Sequence, residues 1–233
     1  MSLFRPASIT CPACDTLIEV EESDSVNADR RPDLREAIID GTFQQMNCPS
    51  CDAQIRLEPQ FNYLEVGQSL WVAVFPPRMM PAYIEVEDSI SDVFDNAYGK
   101  HAQPSARVIG DDLDVRLVFG WPALREKLVV RAAGLDDTLV ELLKLDLMRR
   151  LPEAELGTGR ELRVLAVEDD VLSFAWVLPE TETEMDRFAC DRALYDAIAG
   201  NPGGWAPIRA QLTNGPFVDM QKLYMGEGRD AAE

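Results

Sequence analysis

Residues 10–21 read TCPACDTLIEVE, and residues 47–58 repeat the same pattern as NCPSCDAQIRLE. Six of the twelve positions are identical when the two segments are aligned without a gap. In each copy the proline fixes φ near −65° just after the first cysteine, which turns the chain so that the second sulfur can reach the same ion. We therefore predict that Cys11, Cys14, Cys48 and Cys51 hold one metal ion, as the two halves of a zinc ribbon do.

The residues that follow each cysteine pair fit this interpretation. Asp15 and Asp52 stand where such turns need a residue that tolerates left-handed φ, and Asp is among the few residues other than Gly that do. The next apolar residues alternate along the chain, which predicts a short strand after each turn: Ile18 and Val20 in the first copy, Ile55 and Leu57 in the second.

Zinc is the ion that the four cysteines favour, although two other chemistries remain open. A C-P-x-C motif also resembles the dithiol of glutaredoxin-like proteins, but those need one copy at a helix N-terminus, and here two copies lead into strands. Tetrahedral sulfur ligation does not by itself separate zinc from iron. A closed shell of four cysteines has no open position for water, so we predict a structural ion and not a catalytic one.

The interval between Cys14 and Cys48 is longer than in common zinc sites. Doubling a flexible loop costs only about 0.6 kcal/mol, whereas a structural zinc ion returns on the order of 10 to 16 kcal/mol, so the insertion is compatible with the site. Pro32 at a first helical turn and Gly41 at the expected end predict a helix of about nine residues between them. We expect this helix to pack as a lid on the ribbon.

With these residues identified, the chain resembles the CpXC family, bacterial proteins named for two C-P-x-C motifs. The resemblance rests on residues 11–14 and 48–51, on the inserted helix, and on the later stretches 61–76 and 123–147. It is most specific at the cysteines and extends to about residue 150. It implies a metal-binding domain and supplies no reaction.

The order of the remaining patterns predicts an α+β fold, because no regular βαβ alternation is present. We expect a zinc-ribbon-like four-cysteine domain with an inserted helix over residues 1–60, followed by a larger α+β domain with an acidic surface over residues 61–233. The expected elements of the second part are hairpins at 61–75 and 161–178, a strand at 115–119, and helices at 86–97, 136–150 and 191–199, with an irregular stretch between 98 and 112.

Apolar residues fall on nearly every side of the helix at 136–150, where a surface helix would show a single stripe. This helix is therefore expected to cross the middle of the second core or to meet another subunit. Asp136 is its predicted N-cap.

The charge balance narrows the possible partners. The chain of 233 residues has 22 Lys and Arg against 41 Asp and Glu, a formal net charge of −19. Such a field repels a phosphate backbone, so general binding of nucleic acid is not expected. Residues 1–10 lack the apolar stretch of a secretory signal, and no run approaches the ~18 apolar residues of a spanning helix. We therefore expect a cytoplasmic protein, with reduced thiols and no membrane contact.

No catalytic motif accompanies the cysteines. His101 is the only histidine and is expected in a solvated loop, and Cys190 is expected to be a buried spectator. Our leading hypothesis is a zinc-stabilised module for protein–protein interaction without catalytic activity of its own; self-association stays open. One alternative is an enzyme with a carboxylate pocket at Asp111, Asp112 and Asp114. Another is a ribbon that contacts nucleic acid through Arg30, Arg31 and Arg35.

Overall fold

The computed structural model describes residues 2–150 and 159–225. Within these residues the chain forms three β-sheets and eight α-helices, which confirms the mixed α+β class. The strands are β1 (Leu3–Thr10), β2 (Leu17–Asn27), β3 (Gln45–Asn47), β4 (Gln54–Arg56), β5 (Phe61–Glu65), β6 (Leu70–Phe75), β7 (Asp114–Phe119), β8 (Glu161–Glu168), β9 (Val171–Leu178) and β10 (Thr183–Asp191). The helices are α1 (Pro32–Ile39), α2 (Tyr83–Ala97), α3 (Pro104–Gly110), α4 (Trp121–Ala132), α5 (Asp137–Arg150), α6 (Arg192–Ala199), α7 (Pro202–Leu212) and α8 (Lys222–Met225).

The largest sheet has five strands in the order β1-β2-β5-β6-β7. The pairs β1–β2 and β5–β6 are antiparallel, whereas β2–β5 and β6–β7 are parallel. Strands from both sides of residue 60 therefore share one sheet. The division into segments 1–60 and 61–233 stays a prediction about domain organisation.

Helices cover both faces of this sheet at the interior strand β6, which is apolar throughout. Leu70, Val72 and Val74 point to the face that carries α1 and α4. Trp71 and Ala73 point to the opposite face, where α2 packs. A strand that is buried on both faces needs this continuous apolar run, while a strand with one wet face alternates.

The inserted helix α1 begins at Pro32 as predicted, but it does not form a lid on the cysteines. Its apolar side packs with α4 against the five-stranded sheet, in a cluster that includes Val26, Phe61 and Leu128. The cluster around the cysteines contains no residue of α1. The prediction was wrong because the apolar side of a short helix can be covered by any nearby core, and the larger core is that of the sheet.

A second core forms where α5, α6 and α7 pack on the three-stranded sheet β10-β9-β8. Ten of the fourteen residues of α5 are buried, so the apolar surround of this helix reflects a position inside the chain's own core. Asp136 is its N-cap as predicted: the carboxylate accepts a hydrogen bond from the Thr138 amide at 2.8 Å.

Charged side chains lie inside the protein where α4, α5, β8 and the segment after α7 meet. Eight of them are at most 4% exposed. They form one connected set of ion pairs that comprises Glu126, Lys127, Asp137, Glu141, Lys144, Glu161, Arg163 and Asp219. Burial at this level is tolerated only because each charge meets an opposite charge or a backbone group.

The remaining element predictions are largely confirmed, with a few corrections. Both predicted hairpins form, and α6 follows with Asp191 as its N-cap. The stretch 98–112 contains α3 and is not irregular throughout, and α2 starts three residues before its predicted first residue, at Tyr83. The glycines at positions 157 and 159 predict a turn over 157–160, which lies partly outside the described residues, and the sparse segment 226–233, for which the sequence predicts mobility, lies wholly outside them.

Among the helices that the structure describes, none combines the length and apolar character needed to cross a bilayer.

Candidate metal centre

The first cysteine pair lies in the turn that joins β1 to β2. The Asp15 amide donates to the Cys11 carbonyl at 3.0 Å, and the Cys11 amide donates to the Thr16 carbonyl at 2.9 Å. These bonds close the turn around the two thiols. Asp15 has φ of 56°, which confirms the left-handed conformation predicted at this position.

The second pair repeats the same turn between β3 and β4. The Asp52 amide donates to the Cys48 carbonyl at 2.9 Å, and the Cys48 amide donates to the Ala53 carbonyl at 2.8 Å. Asp52 has φ of 60°. Because the sequence repeat gives two turns with the same bonds, each turn presents its thiols in the same way.

The two turns bring four sulfur atoms into one cluster. All four Sγ atoms lie within 4.8 Å of one another. The Sγ atoms of Cys11 and Cys51 are 3.7 Å apart, and so are those of Cys14 and Cys48. Sulfurs placed about 2.3 Å from a tetrahedral zinc ion are separated by about 3.8 Å, whereas the two sulfurs of a disulfide are about 2.05 Å apart. The cluster therefore has the dimensions of a tetrahedral metal site, and all four cysteines are free thiols.

The site has a dry side and a wet side. Cys11 and Cys48, the first cysteine of each turn, are 0% and 2% exposed. They pack against apolar residues of both hairpins: Ile18, Val20, Ile55 and Leu57. Cys14 and Cys51 lie at the surface, so an ion could enter from that side.

The pKa values of the two surface thiols, Cys14 and Cys51, are shifted in opposite directions. A hydrogen bond to the Thr16 hydroxyl, at 3.3 Å, is the main cause that lowers the pKa of Cys14 to about 6. For Cys51 a backbone hydrogen bond at Ala53 acts to lower the pKa, but the neighbouring thiols, Cys14 foremost, and desolvation outweigh it and raise the pKa to about 12. One thiolate thus makes the next harder to form. A bound cation removes this conflict, because it stabilises all four thiolates together.

The hairpin β3–β4 is attached to the rest of the protein through Arg56 and Trp121. The Trp121 indole N–H donates to the Leu57 carbonyl at 2.9 Å, and the Arg56 guanidinium lies 4.3 Å from the centroid of the Trp121 ring. Arg56 Nε also donates to Glu182 at 2.8 Å, and Arg125 pairs with the same carboxylate at 2.7 Å. A two-stranded hairpin is marginal on its own, so these contacts contribute to holding half of the site in place.

Glu182 belongs to an acidic run, with Glu180 and Glu184, whose residues are separated by threonines; this pattern predicts a solvent-facing edge. The prediction is wrong for Glu182, which is largely buried between the two arginines. No local signal marks it, because Arg56 lies 126 residues away in the sequence.

The carboxylates considered for an enzyme do not form a group of their own. Asp111 and Asp112 are exposed where α3 ends. Asp114 begins β7 and pairs with Arg131. Of the three, Asp114 alone lines a cavity that is rich in arginine.

The arginines considered for nucleic acid differ in their surroundings. Arg31 donates two hydrogen bonds to the Asp33 carboxylate. Arg35 pairs with Glu65 at 3.1 Å. Arg30 is exposed. Two of the three are thus engaged by acidic neighbours.

His101 and Cys190, the two residues considered singly in the sequence, lie near their predicted places. His101 is exposed in the turn between α2 and α3. Cys190 is half-buried on β10, against the second core, and burial raises the pKa of its thiol.

Fold and site together define a mixed α+β protein that carries a four-cysteine cluster able to hold a metal ion on two repeated hairpin turns. The sequence model of the family described as CpXC protein matches residues 9–144, more than half of the chain, and the protein belongs to that family. No curated protein sequence and no solved structure matches it significantly.

Proposed function

We propose that Cys11, Cys14, Cys48 and Cys51 bind one structural zinc ion. The observation that carries this proposal is the mutual approach of the four sulfurs within 4.8 Å, at separations that suit tetrahedral coordination. Four thiolates leave no coordination position for water or substrate, so the ion's contribution is to the folding of the two hairpins. Zinc is preferred to iron because one side of the site is exposed to solvent, and zinc, unlike iron, has no redox state that solvent or oxygen could change.

Elemental analysis of freshly purified, reduced protein tests this proposal. We expect one zinc per chain in the native protein and in Cys190→Ser, whose thiol lies outside the cluster. Cys51→Ser is expected to lose most of the metal. Substoichiometric metal in the native protein, or iron with the visible absorption of an iron–thiolate centre, would contradict the assignment.

We further propose that the zinc-bound protein acts in the cytoplasm as a module for protein–protein interaction, and that it is not itself an enzyme. The support is a closed ligand set, four thiols in the reduced form that the cytoplasm maintains, and an acidic chain that disfavours nucleic acid as partner. The exposed tips of the two cysteine turns, at Ala13 and Ser50, are the surface that the metal holds rigid.

Site-specific crosslinking in the native host tests the interaction. A photoreactive residue at Ala13 or Ser50 is expected to capture a defined protein, while one at the exposed Val108 of α3 is the matched control. Capture of the chain's own copies from the tip positions would redirect the proposal to self-association. If the tips and the control yield no protein adduct, the interaction proposal fails while the zinc assignment stands.

A further inference from the structure

A cavity of about 610 Å³ opens where β7 begins, α4 ends and α5 begins, with α7 on its far side. It shares no residue with the cysteine cluster. The lining is mostly polar and includes three arginines and two carboxylates: Arg116, Arg131 and Arg209 with Asp114 and Asp136. In a chain with nearly twice as many acidic as basic residues, this convergence of arginines is unusual.

Two successive carboxylates at the start of α5 hold the three guanidinium groups around the cavity. Asp137 accepts from Arg116 Nε at 2.7 Å and from Arg131 Nη2 at 3.3 Å. Asp136 accepts from Arg209 Nη2 at 3.2 Å. The three guanidinium groups therefore belong to one network. Their positions are set by the buried Asp137 and the half-buried Asp136 at the start of α5.

Two of the arginines have hydrogen-bonding capacity that this network does not use. Arg131 Nε is buried and has no hydrogen-bond partner among the described residues. Arg209 contacts a carboxylate through Nη2, and its side chain is 43% exposed. Arg116, in contrast, has all three nitrogens engaged by Asp137 and the Val115 carbonyl. A buried donor without an acceptor costs free energy, so an acceptor that reaches Arg131 and Arg209 from the cavity would be stabilised.

The charges around the cavity decide what kind of acceptor fits. Three carboxylates, those of Asp114, Asp136 and Asp137, balance the three arginines that they contact. Lys127 also pairs with Asp137, at 3.1 Å, and its charge is balanced by Glu141 at 3.5 Å. The surroundings are thus close to neutral, and the second charge of a dianion would face carboxylates, whereas a monoanion can be held by the unused guanidinium donors. The Asp136 carboxylate already caps the first amides of α5, so the helix end is not the anion-binding group. A guanidinium fork presents parallel N–H donors that match the planar carboxylate.

We propose that this cavity is a binding site for a small organic carboxylate, held by Arg131 and Arg209, while Arg116 fixes the Asp137 carboxylate that orients Arg131. The site goes beyond the proposed function and does not depend on the metal. Gln68 and Thr213 complete the wall and can supply neutral polar contacts to the body of the ligand.

The test uses the zinc-loaded, full-length protein and potassium acetate as the probe. ¹H–¹⁵N spectra that include the arginine Nε–H resonances are recorded during titration, with potassium chloride at equal ionic strength as the reference. We expect the Arg131 Nε–H resonance to shift with a saturating acetate dependence. Arg209→Gln is expected to weaken binding by about tenfold, the loss of one charge-assisted hydrogen bond.

Arg107→Gln, on the exposed surface of α3 and outside the cavity, is the matched control and is expected to bind acetate as the native protein does. Arg131→Gln tests the second contact and is expected to weaken binding to a similar extent. Because it removes the reporting resonance, acetate binding is followed at the Arg209 Nε–H, and the fold of the variant is checked from unchanged amide resonances remote from the cavity, such as those of the cysteine turns. Shifts that do not saturate, or that chloride reproduces, would overturn the proposal. Tighter saturation of the same resonance by inorganic phosphate at a pH where it is a dianion would overturn the assignment to carboxylates.

Discussion

Replacing Lys144 by Met tests whether the buried charges of the core are held as ion pairs. The Lys144 side chain is 0% exposed, and its ammonium lies 2.7 Å from the Glu126 carboxylate and 2.9 Å from that of Glu141. Met has a similar length and no charge, so the substitution removes the cation and leaves the packing nearly unchanged. The two carboxylates then lose their shared partner.

Without Lys144, the carboxylates of Glu126 and Glu141 differ in the cations and hydrogen-bond donors that remain around them. Burial acts to raise the pKa of Glu126, but Lys144, Arg163 and Lys127 outweigh it and the pKa is lowered. Glu126 keeps the contact of Arg163 and the Val164 amide without Lys144. Glu141 keeps the Met220 amide at 3.0 Å and a longer ion pair with Lys127 at 3.5 Å, but burial is the largest cause acting on its pKa and the pKa is raised. In the variant Glu141 is therefore the group that takes up a proton.

The cost of this proton uptake sets the expected loss in the free energy of unfolding of Lys144→Met. Holding a proton at pH 7 on a carboxyl with an ordinary pKa of about 4.3 costs about 3.7 kcal/mol, since each unit corresponds to 1.36 kcal/mol. Breaking a buried ion pair costs about 3 to 5 kcal/mol by mutation, which agrees. When the pKa of a carboxyl is raised in the folded state, the free energy of unfolding of the protein falls as the pH rises above the pKa of that carboxyl in the unfolded chain. The deficit of the variant should therefore be about 2 kcal/mol smaller at pH 5.5 than at pH 7.

Urea unfolding of the zinc-loaded proteins at the two pH values measures this deficit. Lys100→Met is the control, because Lys100 forms an exposed pair with Asp95, and its loss should leave the free energy of unfolding nearly unchanged. Adding Glu141→Gln to Lys144→Met should recover much of the loss, since it removes the carboxylate that has lost its nearest cation. A deficit below about 1 kcal/mol at pH 7, or one independent of pH, would refute the assignment of these residues as charged partners.

Three further sets of substitutions test the first cysteine turn, the attachment of the β3–β4 hairpin by Trp121 and the N-cap of α5, each by urea unfolding. Asp15→Gly should leave the free energy of unfolding unchanged or slightly increase it, while Asp15→Val should lower it by about 1 to 2 kcal/mol because φ is left-handed; equal values would contradict the backbone conformation. Trp121→Phe should cost about 1 to 3 kcal/mol, because the buried Leu57 carbonyl loses its donor, and should speed removal of the metal by a chelator; an unchanged chelation rate would show that Trp121 does not anchor the hairpin. Asp136→Ala should cost about 1 kcal/mol and Asp136→Asn less; equal losses would show that the ion pair with Arg209, and not the cap, is what matters.

Features that depend on neighbouring residues could be predicted from the amino-acid order alone. Each C-P-x-C-D turn closes through hydrogen bonds within six residues, so the repeat predicts both the thiol positions and the left-handed Asp. The cap of α5 and the hairpin around Asp169 are local in the same sense. The apolar surround of α5 also indicated burial, because a helix without a polar face has no side to offer to water.

Which elements meet in the folded chain depends on long-range packing. The sheet joins β2 to β5 across the cysteine segment, and α1 packs with α4, because an apolar face can pack against any other and its sequence does not specify which. Charged residues such as Lys144 and Glu182 have the pattern of surface positions, since burial of a charge is favourable only when the fold brings a partner to it. The arginine-lined cavity depends on the same kind of pairing. These contacts link residues far apart in the chain, and no local pattern records them.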